Sequence, residues 1–480
     1  MLFNSPGFLL FFPVVTLIYF LLPHRYRWLH LLLASCVFYM SFVPAYILIL
    51  AAIIVIDYTA ALLIKKSVDI RYRRRLLYAS FVGNIGVLAV FKYFDFFIQN
   101  INSFLSSLHI PVQHLPYLHL ILPIGLSFHT FQAMSYTIEV YKGNQEPERH
   151  FGIYALYVMF YPQLVAGPIE RPQRLLPQFR VVHHFSSLNL LEGLRLMLWG
   201  FFKKLVIADR LAFYVNIIFS NVGHYHYLNL LEALLFFSIQ IYCDFSGYSD
   251  IAVGAARTMG FSLSLNFNRP YYATNIREFW QRWHISLATW FRDYIYFSLG
   301  GNKKGTARLY MNIVIVFALS GLWHGANWTF VAWGLLHSAY FLIYLLILRH
   351  KKQSARFNSL KNLVGMIITF SAVTLSWIFF RAENIDDSLL LIRQIFTRYS
   401  GFPFQLVFND KITMSYFGIG TLWIAGIATV LMLAVERIFP PDFSMLNKKP
   451  ALDIAFCSVI LSLIFLFGVF HKTSFIYFQF

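Results

Sequence analysis

Apolar runs of about 20 residues recur along the whole chain, and that feature constrains the fold most, because a helix of this length crosses the hydrocarbon core of a bilayer. ILILAAIIVIDYTAALLI, VGMIITFSAVTLSWIFF and DIAFCSVILSLIFLFGVF are examples. None alternates apolar with polar residues, as the strands of a membrane barrel do. Of 480 residues, 58% are hydrophobic, 19% aromatic and only 12% charged. A soluble domain carries about a quarter charged residues. The expected fold is an all-α polytopic membrane protein of roughly 10 to 12 transmembrane helices. Residues 142–190 and 262–305 are too polar to span and too aromatic for ordinary loops, which predicts short re-entrant or interfacial helices there.

The first run, MLFNSPGFLLFFPVVTLIYFLLP, lacks a basic leader and a small-x-small cleavage site, so it is expected to be a span rather than a signal peptide. The net charge of +18 does not point to nucleic acid, because the basic residues cluster in short segments between spans. Lys65 to Arg75, Lys303 to Arg308, Arg349 to Lys361 and Arg437 to Lys449 are such clusters. The positive-inside rule puts them in the cytoplasm and both chain termini on the extracytoplasmic side. Cys36, Cys243 and Cys457 show no metal or redox spacing. No nucleotide-binding glycine loop, HExxH, CxxC or GxSxG is present, and no metal site is expected.

Ionisable groups inside apolar segments are functional candidates, and they occur at four places. SGLWHGANW sets His324 between two apolar runs, flanked by Trp323, Gly325, Asn327 and Trp328. Charge topology puts it in the outer half or the middle of the membrane. It is either a general base or a histidine bonded to a neighbouring helix. FWQRWHISLATWF holds His284 between Arg282 and Ser286. The segment is either an interfacial helix with a snorkelling arginine or the source of a second tunnel histidine. IYCDFSGYSD carries Asp244 and Asp250, with Arg257 downstream; buried carboxylates must be paired or neutral, so a structural network competes with chemistry. In LSFHTFQAMSYTIEV, Gln132, Ser135 and Glu139 make one polar helical stripe, which either lines a tunnel or glues helices together.

YPQLVAGPIERP, DFSGYSD, EFWQRWHISLATWFRDYIYFSLGGN and GLWHGANW together resemble the membrane-bound O-acyltransferases. The likeness is to the bacterial branch that acetylates alginate, peptidoglycan and other exported polysaccharides, and it extends over nearly the whole chain. It implies one membrane domain over residues 1–480, a ring of tilted helices around a funnel and tunnel. It implies His324 as the key histidine and His284 as the histidine of the RWHxSL motif, with Trp323, Asn327, Asp244, Asp250, Gln132 and Glu139 as candidates for contact with substrate or tunnel. No cofactor is expected to be bound. The implied acyl donor is cytoplasmic acetyl-CoA, and the implied acceptor is a periplasmic partner of SGNH-hydrolase type, at the bacterial inner membrane.

The chain ends FIYFQF, residues 475–480. This tail resembles the aromatic end of the partner peptide in the D-alanylation branch, which implies that Tyr477 carries the acyl group. Composition alone is equally served by an interfacial aromatic anchor. A phenol with a pKa of about 10 needs an adjacent base to attack a thioester, and its ester is a good acyl donor in turn. Three rivals stand beside the acetyltransferase. They are a transporter with a buried His/Asp pathway, a D-alanyl or lipid acyltransferase of the same family, and a non-catalytic scaffold.

Overall fold

The computed structural model describes residues 1–109, 114–349, 359–397, 421–470 and 475–476, and every regular element among them is helical. Seven helices are long and apolar enough to cross a membrane: Pro44–Lys66, Ile70–Ser107, Tyr227–Thr258, Thr306–His324, Trp328–Ile347, Leu360–Arg381 and Pro450–Phe467. Pro6–Leu21 is apolar but shorter. The remaining helices are shorter or more polar. Short helices Ile276–Arg282 and Ile285–Phe291 fall in the aromatic stretch where interfacial or re-entrant elements are expected. The chain divides into two compact units, Met1–Gly193 with Ala255–Ser264, and Leu194–Gly254 with Leu265–Phe480.

In the first unit, Ile47–Lys66 packs against Ile70–Leu88 and Leu126–Lys142, around a core of Ile53, Leu88, Leu126 and Ala133. Leu126–Lys142 is covered on nearly every face although it carries Thr130, Gln132, Ser135 and Thr137. Its polar groups are satisfied inside protein, as an apolar environment demands. Asp57, fully buried in Ile47–Lys66, is surrounded by neutral donors. Asn84 Nδ2 donates to it at 2.6 Å and Thr137 Oγ1 at 2.5 Å, and the Ser80 hydroxyl also bonds it. These bonds join three helices at one carboxylate.

In the second unit, Thr306–His324 and Trp328–Arg349 form a tight hairpin. Its glycines are there because the backbones touch. A Cβ on Gly321 would lie 2.1 Å from the Phe330 carbonyl oxygen, and one on Gly334 would lie 2.2 Å from that of Phe317. A second glycine contact brings the helix of residues 187–219 against Tyr227–Thr258. A Cβ on Gly200 would lie 2.5 Å from the Gly247 carbonyl oxygen. Just after Gly200 the helix widens into a π-helical stretch, Phe202–Ala208. Such stretches leave carbonyls off the regular ladder, and the Leu205 carbonyl accepts the N–H of Val469 at 3.0 Å. Arg210 holds the Phe467 carbonyl at 2.9 and 2.7 Å through Nε and Nη2, capping the end of Pro450–Phe467.

Candidate active site

His324 is the last residue of its helix, and Gly325 breaks the helix in an extended conformation (φ −157°, ψ 148°). Glycine is required there, since a Cβ would lie 2.0 Å from the Phe330 ring. The next helix opens at Asn327, whose Oδ1 accepts the N–H of Thr329 at 3.1 Å while Nδ2 donates to the Glu383 carbonyl at 2.7 Å. Both ends of the Asn327 amide thus serve backbone groups, in the manner of an N-cap. His324, 4% exposed, sits among Trp323, Trp333 and Phe380 at ring-centroid distances of 4.9, 5.1 and 5.3 Å. Trp328, expected to wall this cavity, is 55% exposed. Trp333 takes that place, because five residues along a helix rotate the side chain by about 140°.

His284 is 1% exposed and adopts the left-handed conformation (φ 43°, ψ 53°) between Ile276–Arg282 and Ile285–Phe291. Two antiparallel backbone bonds fix it from both sides. The N–H of Asn268 donates to the Arg282 carbonyl at 2.9 Å, and the N–H of Ile285 donates to the Asn266 carbonyl at 2.9 Å. The Asn266 side chain then selects the tautomer. Its Oδ1 lies 3.1 Å from His284 Nδ1, and it also accepts from the backbone N–H and the hydroxyl of Ser286 at 3.3 and 2.9 Å. A backbone N–H can only donate, so that atom is the oxygen, Nδ1 carries the proton, and Nε2 keeps the lone pair. Burial pushes the imidazole down to about 3, so it is neutral near pH 7.

The two rings face each other with centroids 6.4 Å apart, and the Trp323 ring lies 6.1 Å from His284. The sequence motifs that hold these histidines are 40 residues apart, and the fold brings them into one aromatic-walled pocket. A neutral His284 imidazole facing that of His324 among aromatic rings is suited to taking a proton from an attacking hydroxyl. Comparison with known proteins bears on which reaction this serves. Residues 150–381 match the model of the MBOAT, or membrane-bound O-acyltransferase, family. A peptidoglycan O-acetyltransferase of Helicobacter pylori is 36% identical over 425 residues, covering 82% of this chain and 79% of that protein. A probable alginate O-acetylase of Azotobacter vinelandii is 39% identical over 458 residues, covering 95% and 89%. The chain belongs to the membrane-bound O-acyltransferase family. A teichoic acid D-alanyltransferase of Bacillus subtilis is more distant, 28% identical over 299 residues, covering 60% and 75%.

As a membrane-bound acyltransferase, the chain uses its other predicted site residues in distinct ways. Asp244 and Asp250 share a helix but not a site. Lys203 Nζ pairs with Asp250 at 2.5 Å, while Lys204 Nζ bridges Asp244 at 2.7 Å and Asp209 at 2.8 Å. Asp250 and Lys203 line a cleft with Tyr242, Arg269 and Glu436. Asp244 Oδ2 instead accepts the N–H of Ile476, near the chain's end, at 2.9 Å. Phe475 packs on Tyr248 and Phe245 at 4.7 and 5.7 Å, and Phe245 packs edge-on against His284 at 4.7 Å. Tyr477 itself lies outside the described residues. Gln132 and Glu139 lie in the first unit, where their bonds run between neighbouring segments. Gln132 donates to the Tyr157 carbonyl at 2.6 Å, and Glu139 accepts from Asn144 and Gln173 at 3.0 and 2.8 Å.

Four residues escaped the sequence analysis. Asn266 sets the His284 tautomer from a loop with no motif of its own. His337, fully buried, donates to Ser376 at 2.8 Å and stacks behind Trp333 at 4.8 Å, a structural histidine inside a span. Lys203 and Lys204 carry the one signal that was legible: two adjacent lysines inside an apolar run, which lipid would not tolerate without partners.

Proposed function

We propose that this acyltransferase takes an acetyl group from cytoplasmic acetyl-CoA and delivers it across the bacterial inner membrane for O-acetylation of an exported or cell-wall polysaccharide. Relatives named for peptidoglycan and alginate O-acetylation support acetyl and a glycan. The observation that carries the reading is the burial of Phe475 and Ile476 beside the pocket of His284 and His324, since Ile476 directly precedes Tyr477. In this reaction His324 takes the phenolic proton as the Tyr477 oxygen bonds to the thioester carbonyl carbon. The carbon–sulfur bond breaks, and CoA leaves as the thiol with that proton. The acetyl ester of Tyr477 then passes to a serine hydroxyl of an SGNH-type partner on the outer side, and the phenol regains its proton. His284, held neutral with Nε2 available, serves as the second proton acceptor of the pocket. Both termini lie outside, so the tail meets the partner on the acceptor side.

The test is isotope-labelled acetyl-CoA added to the purified chain, with peptide mass spectrometry of the wild type, His324→Ala and Tyr477→Phe. Label on Tyr477 in wild type alone is the expected result. Consumption of acetyl-CoA that needs His324 and a partner, with no labelled tyrosine, removes the relay and keeps acetyl transfer. Absence of both label and turnover overturns the donor assignment.

A further inference from the structure

We infer that the buried Asp209–Lys204–Asp244 network is a clamp that docks Phe475 and Ile476, making Phe475 a support for the Phe245 ring that bears on His284. The inference rests on the histidine pocket being the acyltransferase site but not on Tyr477 carrying the acyl group.

The fastenings run in order along the end of the chain. Arg210 grips the Phe467 carbonyl, the Leu205 carbonyl receives the Val469 N–H, and Asp244 receives the Ile476 N–H. Two of these groups, Leu205 and Arg210, come from the π-helical stretch and the second residue beyond it, and the third is tied to that stretch through Lys204. Lys204 and Asp244 are 2% and 3% exposed, and Phe475 and Ile476 are 1% and 2% exposed. A carboxylate this deeply buried is costly unless paired. Lys204 pairs with one Asp244 oxygen and the tail amide with the other, so the amide bonds the carboxylate of an ion pair, and bonds to charged groups are about twice as strong as neutral ones. Asp209 gives the same ammonium a second partner at 2.8 Å. Phe475 then inserts against Tyr248 and Phe245, four and one residues along the helix from Asp244, and Phe245 in turn bears on His284. Asp244 is therefore a positioning residue: it reaches the histidines only through the tail and Phe245.

The experiment is hydrogen–deuterium exchange with mass spectrometry on the full-length chain in detergent, read on the peptide containing Phe475 and Ile476, alongside acyl-transfer kinetics. In Asp244→Ala that peptide is expected to exchange about 10- to 100-fold faster, the range for a lost bond to a charged group, while peptides of Thr306–His324 and Trp328–Arg349 stay protected. Turnover falls while the donor KM holds. Ile476→Pro provides the second variant. It removes the N–H that Asp244 accepts and leaves the ion-pair network whole, so the fold is not at risk. It is expected to loosen the same peptide, and the double variant should add little to either single one. Unchanged exchange in Ile476→Pro, or effects of the two changes that simply add, overturns the clamp. A protected tail in a chain that never labels Tyr477 keeps the clamp and discards the relay, so the two ideas fail separately.

Discussion

Asp57 and Asp244 are both buried aspartates in the middle of apolar helices, yet they are satisfied in opposite ways. Asp57 is surrounded by the neutral donors of Ser80, Asn84 and Thr137, all from helices of its own unit. Asp244 faces an ammonium on one oxygen and the amide of a distant chain end on the other. The first arrangement glues fixed helices together. The second ties an ion-paired carboxylate to the backbone of a segment from the chain's end, alongside the bonds that Arg210 and Leu205 make to Phe467 and Val469. Burial of a polar group therefore does not by itself mark a working site in this protein. On the proposed mechanism the identity of its partners does, and the same criterion separates His337, bonded to Ser376, from His324 and His284, which face each other.

The largest effect that would break this comparison is on His324. Its replacement by alanine is expected to lower acyl transfer by about 10²- to 10⁴-fold, the usual worth of a positioned general base, with the folded population in size-exclusion chromatography unchanged. Retained transfer would make His324 equivalent to His337 and favour a scaffold. Asp57→Ala should act the other way round. Three buried donors lose their acceptor, so stability in detergent should fall by about 3 kcal/mol or more, while the turnover of the molecules that stay folded is preserved. A loss of turnover without loss of stability would move Asp57 from glue to site.

Asn266 sharpens the comparison between the histidines. Asn266→Leu removes the acceptor that fixes His284 Nδ1–H, and transfer should drop by about 10- to 100-fold, as when the orienting partner of a functional histidine is lost. Asn266→Asp, which keeps an oxygen at that place, should recover most of it. Equal loss in both variants would assign Asn266 to the fold alone. The smallest effect is a pH dependence. His284 is held neutral by burial, its pKa pushed down to about 3, whereas an unfolded histidine titrates near 6.5. Above about pH 6.5 its contribution to stability is complete. On acidification the unfolded chain gains a proton that the folded chain refuses, and stability falls by up to about 1.4 kcal/mol per pH unit. The unfolding midpoint of wild type between pH 5 and 8 should thus slope more steeply than that of His284→Gln, and parallel curves would refute burial in the neutral form.

Much of this was legible in the chain itself. Run length and apolarity dictate membrane helices, because a bilayer admits few other structures. His324 and His284 stand out by the cost of a titratable group in apolar surroundings, and Gly325 marks the helix break that ends at His324. Asp244 and Asp250 were legible as expensive groups, but not which lysine each would take, since residues six apart on one helix point different ways. Trp333 rather than Trp328 walls the pocket for the same reason of helical phase.

The sequence by itself determined the class of fold, the family and the two histidines, since these follow from local composition and from motifs contiguous in the chain. Only the tertiary structure decided that the histidines meet, that Asn266 chooses the tautomer of one of them, and that Phe475 packs on the Phe245 ring that bears on His284. Those facts depend on hydrogen bonds and ring contacts between residues from 18 to 232 positions apart. No periodicity encodes such pairings, because each is settled by which helices can approach closely enough to touch.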